Sequence, residues 1–215
     1  MAEFLPLFPL NLAVFPGETI KLRIFEPRYQ QLIQDCEELD IWFGIPAVID
    51  QEMAGIATVM ELISVDQRFP GGESNITVMG RSRFTIQKFF PVSPDKLYPG
   101  GYGEMVSEEP IQHDSRYIDL KQEILDLMFQ LHDLLGIDDI PVTSPEEITA
   151  FAISHKIGMD LEQQVEILAM NNEPARLNFV FDHLQRILPI VRETQRLKAR
   201  AQLNGHYKNL VPPNF

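Results

Sequence analysis

The run Phe15-Pro16-Gly17-Glu18-Thr19-Ile20-Lys21-Leu22-Arg23-Ile24-Phe25-Glu26-Pro27-Arg28-Tyr29 decides how the first half of this chain is read. Pro16 presets φ and Gly17 takes the positive φ of a type II turn, so Pro16-Gly17-Glu18 turns the chain. Residues 19–25 then alternate polar and apolar, the period of a half-buried strand. Pro27 suits the first position of a helix, where its missing N–H costs nothing. Turn, strand and helix start in one short run point to a β-rich domain with one inserted helix over 27–39.

Strands are expected at 41–49, 56–65, 75–79, 84–89 and 101–106. Phe69-Pro70-Gly71-Gly72-Glu73 has the composition of a hairpin loop. After residue 113 the apolar period changes to about 3.6. Ile118, Ile124, Leu125, Met128, Leu131 and Leu135 mark a helix over 114–135 that Gly136 stops. Thr143-Ser144-Pro145-Glu146-Glu147 reads as a capped start for a helix over 145–157. Further helices are expected at 160–170 and 174–203, the last kinked by Pro189. The predicted fold class is therefore α+β, with a β-rich subdomain at 1–109, a helical bundle at 114–203 and a tail at 204–215. The polar, Pro-containing stretch 107–114 joins the two parts.

The 215 residues carry 31 acidic and 18 basic side chains, a net charge of −13. That balance argues against a protein built to grip phosphate backbones. Residues 1–113 hold 8 basic and 16 acidic groups, and 114–185 hold 4 and 14. The end reverses sign: Arg186, Arg192, Arg196, Lys198, Arg200 and Lys208 face only Glu193. One cysteine excludes an internal disulfide framework and fits a reducing compartment. Glu3 and the early prolines oppose an export signal, and no run of 18 apolar residues occurs, so a cytoplasmic protein with no membrane contact is expected.

Few residues of the chain form a pattern that carries chemistry. No G-x-x-x-x-G-K-[ST] loop occurs, and Gly100-Gly101-Tyr102-Gly103 lacks the context of a dinucleotide fingerprint and reads as a loop before a strand. No two of His113, His132, His155, His183 and His206 stand three or four residues apart, so no helix face offers a metal two imidazoles. Acids beside Cys36 disfavour a thiolate, and Ser82 lacks the second glycine of a nucleophile elbow. No catalytic residue, metal or cofactor is assigned. Arg192, Arg196, Lys198 and Arg200 form a basic patch near a helix C-terminus, where the dipole favours positive charge.

Three pieces of the N-terminal half resemble the Lon N-terminal, or substrate-binding, domain family. They are Leu5-Pro6-Leu7-Phe8-Pro9-Leu10, Val14-Phe15-Pro16-Gly17-Glu18 and Ile24-Phe25-Glu26-Pro27-Arg28-Tyr29. Gly55-Ile56-Ala57 and Val78-Met79-Gly80-Arg81-Ser82-Arg83-Phe84-Thr85-Ile86 follow in the family's order, and the likeness covers about 5–203. The Ile24–Tyr29 run is similar to that of stand-alone Lon-domain proteins. The resemblance implies a PUA-like pseudobarrel followed by helices, and a non-enzymatic module that binds unfolded or disordered polypeptide segments. It carries neither the ATP-binding loop nor the Ser–Lys peptidase of Lon protease. An adaptor role beside a separate protease or ATPase is the implied setting, and an RNA-binding PUA-like domain using the basic helix is the alternative. Pro16, Gly17, Phe25, Glu26, Pro27, Arg28, Tyr29, Gly80, Arg83 and Phe84 are expected to act structurally: Phe25 and Tyr29 pack the helix on the sheet, and Arg83 anchors a strand end. Glu26 is a candidate partner for the guanidinium groups.

Overall fold

A computed structural model describes residues 2–111, 115–137 and 142–206. The chain divides into two compact units, Met1–Pro110 with Gly158–Glu173, and Ile111–Ile157 with Pro174–Phe215. The first unit contains one antiparallel sheet of six strands: β1 (Glu3–Pro6), β2 (Thr19–Ile24), β3 (Phe43–Ile49), β4 (Glu52–Arg68), β5 (Ser74–Phe90) and β6 (Gly100–Met105). Its path is β1-β6-β5-β4-β3, with β2 pairing β5 off that path. Parallel bridges Leu7↔Gly44 and Leu10↔Ala47 bring the chain after β1 against β3, so the two ends of the path approach each other in an unclosed pseudobarrel.

Two expected strands, 75–79 and 84–89, are one long strand, β5. Gly80-Arg81-Ser82-Arg83 breaks the hydrophobic alternation, but β4 pairs across it with a register shift at Val59/Met60, and the bulge keeps the ladder running. Gly100–Gly103 lies within β6 itself rather than in a loop before it. β1 was not expected, because Pro6 and Pro9 mask its pattern; Pro6 sits at the last position of an end strand, where its missing donor is tolerated.

Helix α1 (Pro27–Leu39) starts on Pro27 and ends on Asp40 in the left-handed region, φ 53°. Tyr29, Leu32, Ile33 and Cys36, at helical spacing, are buried with Ile24, Phe43, Ile45, Met60, Ile76 and Val78, and this is the core of the unit. The Asp35 carboxylate accepts from Tyr98 Oη at 2.6 Å and pairs with Lys96 Nζ at 2.7 Å, which ties the 93–98 turn to α1. Burial works against that carboxylate, yet the two hydrogen bonds outweigh it and hold its pKa below the usual range.

Helix α4 (Leu161–Ala169) belongs to this unit and packs on β3 and β4, not to the bundle in which its 3.6 period had placed it. Amphipathic period identifies a helix but not the partner of its apolar stripe. A capping box starts it, with Gln163 N–H donating to Asp160 Oδ1 at 2.9 Å and Asp160 N–H to Gln163 Oε1 at 3.1 Å.

The second unit holds α2 (Ser115–Leu135), α3 (Ala150–Ile153) and α5, the long helix Glu173–His206. Gly136, φ 66°, ends α2. The expected helix over 145–157 is instead two 3₁₀ turns, Pro145–Glu147 and Ser154–Lys156, around the single turn of α3. Thr149, not Ser144, is the capping side chain there, accepting from Ala152 N–H at 3.2 Å. α5 continues through Pro189, which cannot donate to the Gln185 carbonyl, and buries Leu177, Val180, Leu184 and Leu188. Residues 204–206, expected in the tail, extend this helix. The remainder of the tail, His113, Lys208 and the start of the expected boundary at 114 lie outside the described residues.

Candidate functional site

The glycine of one sequence signature faces the turn of another. Gly17 takes φ 87° and closes the turn with Glu18 N–H donating to Phe15 O at 3.1 Å. The turn is held on β5 by Gly17 N–H to Gly80 O and Gly80 N–H to Glu18 O, both 2.8 Å. A Cβ on Gly80 would lie 2.4 Å from the Phe15 carbonyl oxygen, so only glycine permits this approach. Thr58 Oγ1 donates to the Val14 carbonyl beside it.

At the start of α1, Tyr29 stacks on Phe8 with ring centroids 3.9 Å apart, and its phenol is pushed up by burial against the opposing Arg28 charge. Arg28 Nε donates to Glu26 Oε2 at 2.9 Å, and its guanidinium lies 4.6 Å over the Tyr29 ring. Phe25 does not pack the helix on the sheet: it is 60% exposed. Ile24 fills that place instead, since one step along a strand turns the side chain to the other face.

Arg83 is buried in the middle of β5, not at a strand end, and what it anchors is a helix end. Its guanidinium donates to Leu168 O at 2.6 Å and to Met170 O, and pairs with Glu108 Oε1 at 2.5 Å. The last carbonyls of α4 have no partner within the helix, and a cation there also complements its dipole. Phe84, buried next to it, faces the opposite side of β5 by the alternation of a strand. Arg83 thus fixes α4 on the sheet, and α4 in turn forms one wall of a groove.

That groove, about 530 Å³, lies between α4 and the β3–β4 hairpin. The hairpin turns at Asp50 and Gln51, whose φ angles of 47° and 69° are those of a two-residue type I′ loop. Ile49, Met53, Ala54, Ile56, Val165 and Ala169 give apolar walls, with Thr85 among the lining residues. A Cβ on Gly55 would meet no heavy atom within 4 Å. Asp50, Glu52 and Glu162 are the charged groups that line it, and none has an ion-pair partner among the described residues. Volume, walls and rim suit a few apolar side chains of a bound chain.

The other features offer less. Beyond the pair Phe43↔Met60, the outer edge of β4 carries no strand among the described residues, and register shifts at Leu62/Ser64 and Val65/Gln67 make it an irregular template for strand addition. The Ser82 hydroxyl is buried with no hydrogen-bond partner, so no base activates it. Cys36 is buried, and burial with the neighbouring Asp35 and Glu37 pushes its thiol up to about 12, the opposite of what a nucleophile needs. His132 and His183 are buried against the carbonyls of Met128 and Ile157. Among the described residues no three potential metal ligands cluster, and no helix is long and apolar enough to cross a membrane. Arg192, Arg196, Lys198 and Arg200 are exposed on the last turns of α5, with Arg196 3.7 Å from Glu193.

The groove is not legible in the sequence because its walls, 49–56 and 162–169, are more than 100 residues apart in the chain. Gly55 was visible as part of a signature, and Glu162, Val165 and Ala169 share a helix face, but nothing local joins the two sets.

A family described as the ATP-dependent protease La (Lon) substrate-binding domain matches residues 4–186. Among solved structures, a Lon N-terminal domain protein from Xanthomonas campestris is 23% identical with a TM-score of 0.59, over 87% of this chain and 98% of that one. The N-terminal domain of a Mycobacterium avium complex Lon protease is 14% identical with a TM-score of 0.63, over 85% and 98%. At these identities the two structures show a shared fold. No curated protein matches the chain.

Proposed function

Because this chain belongs to the Lon protease substrate-binding domain family, we propose that it is a non-enzymatic module that binds unfolded polypeptide segments. In this reading it acts as an adaptor, handing bound chains to a separate protease or ATPase in proteolysis or protein quality control. The observation that carries the reading is the apolar groove between α4 and the β3–β4 hairpin, which lies wholly inside the matched segment. An extended segment laid in such a groove buries side chains that an unfolded protein exposes and a native one hides. The buried, unpaired Ser82 hydroxyl and the raised Cys36 thiol favour binding without bond cleavage. Fluorescence anisotropy of labelled, denatured casein tests the reading. A saturable rise with the denatured chain and none with a native globular control is expected; no association with any unfolded chain sinks it.

The four exposed cations of α5 favour one second reading, RNA binding. It requires salt-sensitive binding of an RNA oligonucleotide that is lost when Arg192, Arg196, Lys198 and Arg200 are all changed to Gln.

A further inference from the structure

We propose that the α4 groove selects apolar segments flanked by Lys or Arg and rejects the same segments flanked by Asp or Glu. This rests on the polypeptide-binding reading above and adds to it a site and a ligand chemistry. The walls are apolar, and the charged groups lining them are three carboxylates, Asp50, Glu52 and Glu162. Several other acids of the same unit sit in ion pairs: Glu61 with Arg81, Glu37 with Arg68, Glu73 with Arg23, Glu108 with Arg83. The three at the groove have no such partner among the described residues, so their field is open to whatever enters.

Chain geometry sets these charges away from the base of the groove. Ile56 pairs with Thr85 on β5, and Ala169 closes α4 near the Arg83 anchor. Glu162 is seven residues back along α4, roughly 10 Å at the helical rise. Asp50 is six residues from Ile56 along the hairpin, on the order of 20 Å at the rise of a strand. An entering segment therefore meets an apolar base and carboxylates toward the other end, a pattern that an apolar stretch with flanking cations complements. Gly55 leaves space on the lining, where a Cβ would meet no heavy atom of the described residues within 4 Å. Acidic flanks would face like charge as they lost water, which is how a surface of this kind discriminates between similar partners.

The test uses two fluorescein-labelled peptides with one shared apolar core, flanked by Lys/Arg in one and by Asp/Glu in the other. Anisotropy with the full chain at low salt should favour the basic peptide by about tenfold. Three exposed charge contacts of modest size reach about 1.4 kcal/mol together, the equivalent of that ratio. Two variants locate the effect. Gly55→Leu, whose Cβ would meet no heavy atom within 4 Å, adds bulk to the groove lining and should weaken both peptides at least tenfold. The combination Asp50→Asn, Glu52→Lys and Glu162→Lys, with Asn keeping the left-handed turn position, should reverse the preference. Far-UV circular dichroism and Trp42 fluorescence verify that both variants fold. Peptide binding that both variants leave unchanged overturns this inference while polypeptide binding stands. Failure of both peptides while denatured casein binds also overturns it. If casein fails to bind as well, the proposed function falls with it.

Discussion

Replacing Arg83 with Met tests the anchor on which the groove depends. The side chain is 1% exposed, so its charge is compensated inside the protein rather than by water. Removing it takes this donor from the Leu168 and Met170 carbonyls, at about 1–3 kcal/mol each. The lost pair with Glu108 adds little, about 0–1 kcal/mol, because that carboxylate is 49% exposed and screened by solvent. A loss of about 4 kcal/mol results, nearly all of it from the two carbonyls. At about 2–4 °C per kcal/mol for a chain of this size, Tm falls by roughly 8–16 °C. Trp42 is the only tryptophan and lies in the sheet-containing unit, so its fluorescence in a urea titration reports the relevant transition. Arg83→Lys should recover part of the loss, since an ammonium donates but lacks the planar fork. Glu108→Gln should cost less than about 1 kcal/mol. An Arg83→Met protein within about 1 kcal/mol of wild type would refute the claim that this guanidinium holds α4.

Gly80→Ala forces a Cβ to 2.4 Å from the Phe15 carbonyl and should cost about 1–3 kcal/mol in the same titration, while Gly55→Ala stays within about 0.5 kcal/mol because its Cβ touches nothing. The Cys36 thiol, at about 12 in the folded protein, keeps its proton where an unfolded thiol, near 8.5, has lost it. Its contribution is thus complete below about pH 8.5 and declines by about 1.4 kcal/mol per pH unit as pH rises toward 12. Cys36→Ala should flatten that alkaline slope by one proton in denaturation at pH 9–11; an unchanged slope refutes the assignment. Asp35 has the opposite sign, its stabilisation being present above about pH 4 and lost as pH falls through its depressed folded value. The stability gap between wild type and Asp35→Asn, about 1.5–3 kcal/mol at neutral pH for charged hydrogen bonds, should therefore close in acid denaturation curves; a gap that persists at low pH argues against it.

Features written in adjacent residues could be read directly. The Pro16-Gly17 turn, the β2 alternation, the Pro27 start of α1 and the Gly136 stop of α2 each rest on a backbone preference or a short period. Family membership was also readable, because its signatures are contiguous runs. The continuity of β5 was not, since a bulge against β4 is a property of the pair and not of either strand. The outward position of Phe25 is legible in the alternation itself, because one step beyond the buried Ile24 turns a side chain to the other face.

By itself, then, the sequence determined the α+β class, the β-first order of elements and the turns that punctuate it, because local sterics and periodicity act within a few residues. Only the tertiary structure decided that α4 belongs with the sheet, that Arg83 caps that helix rather than a strand, and that Gly80 exists to admit the Phe15 carbonyl. The groove is of the second kind throughout. Its two walls come from 49–56 and 162–169, and a contact between segments so far apart is chosen by the burial of the whole core, which no local pattern records.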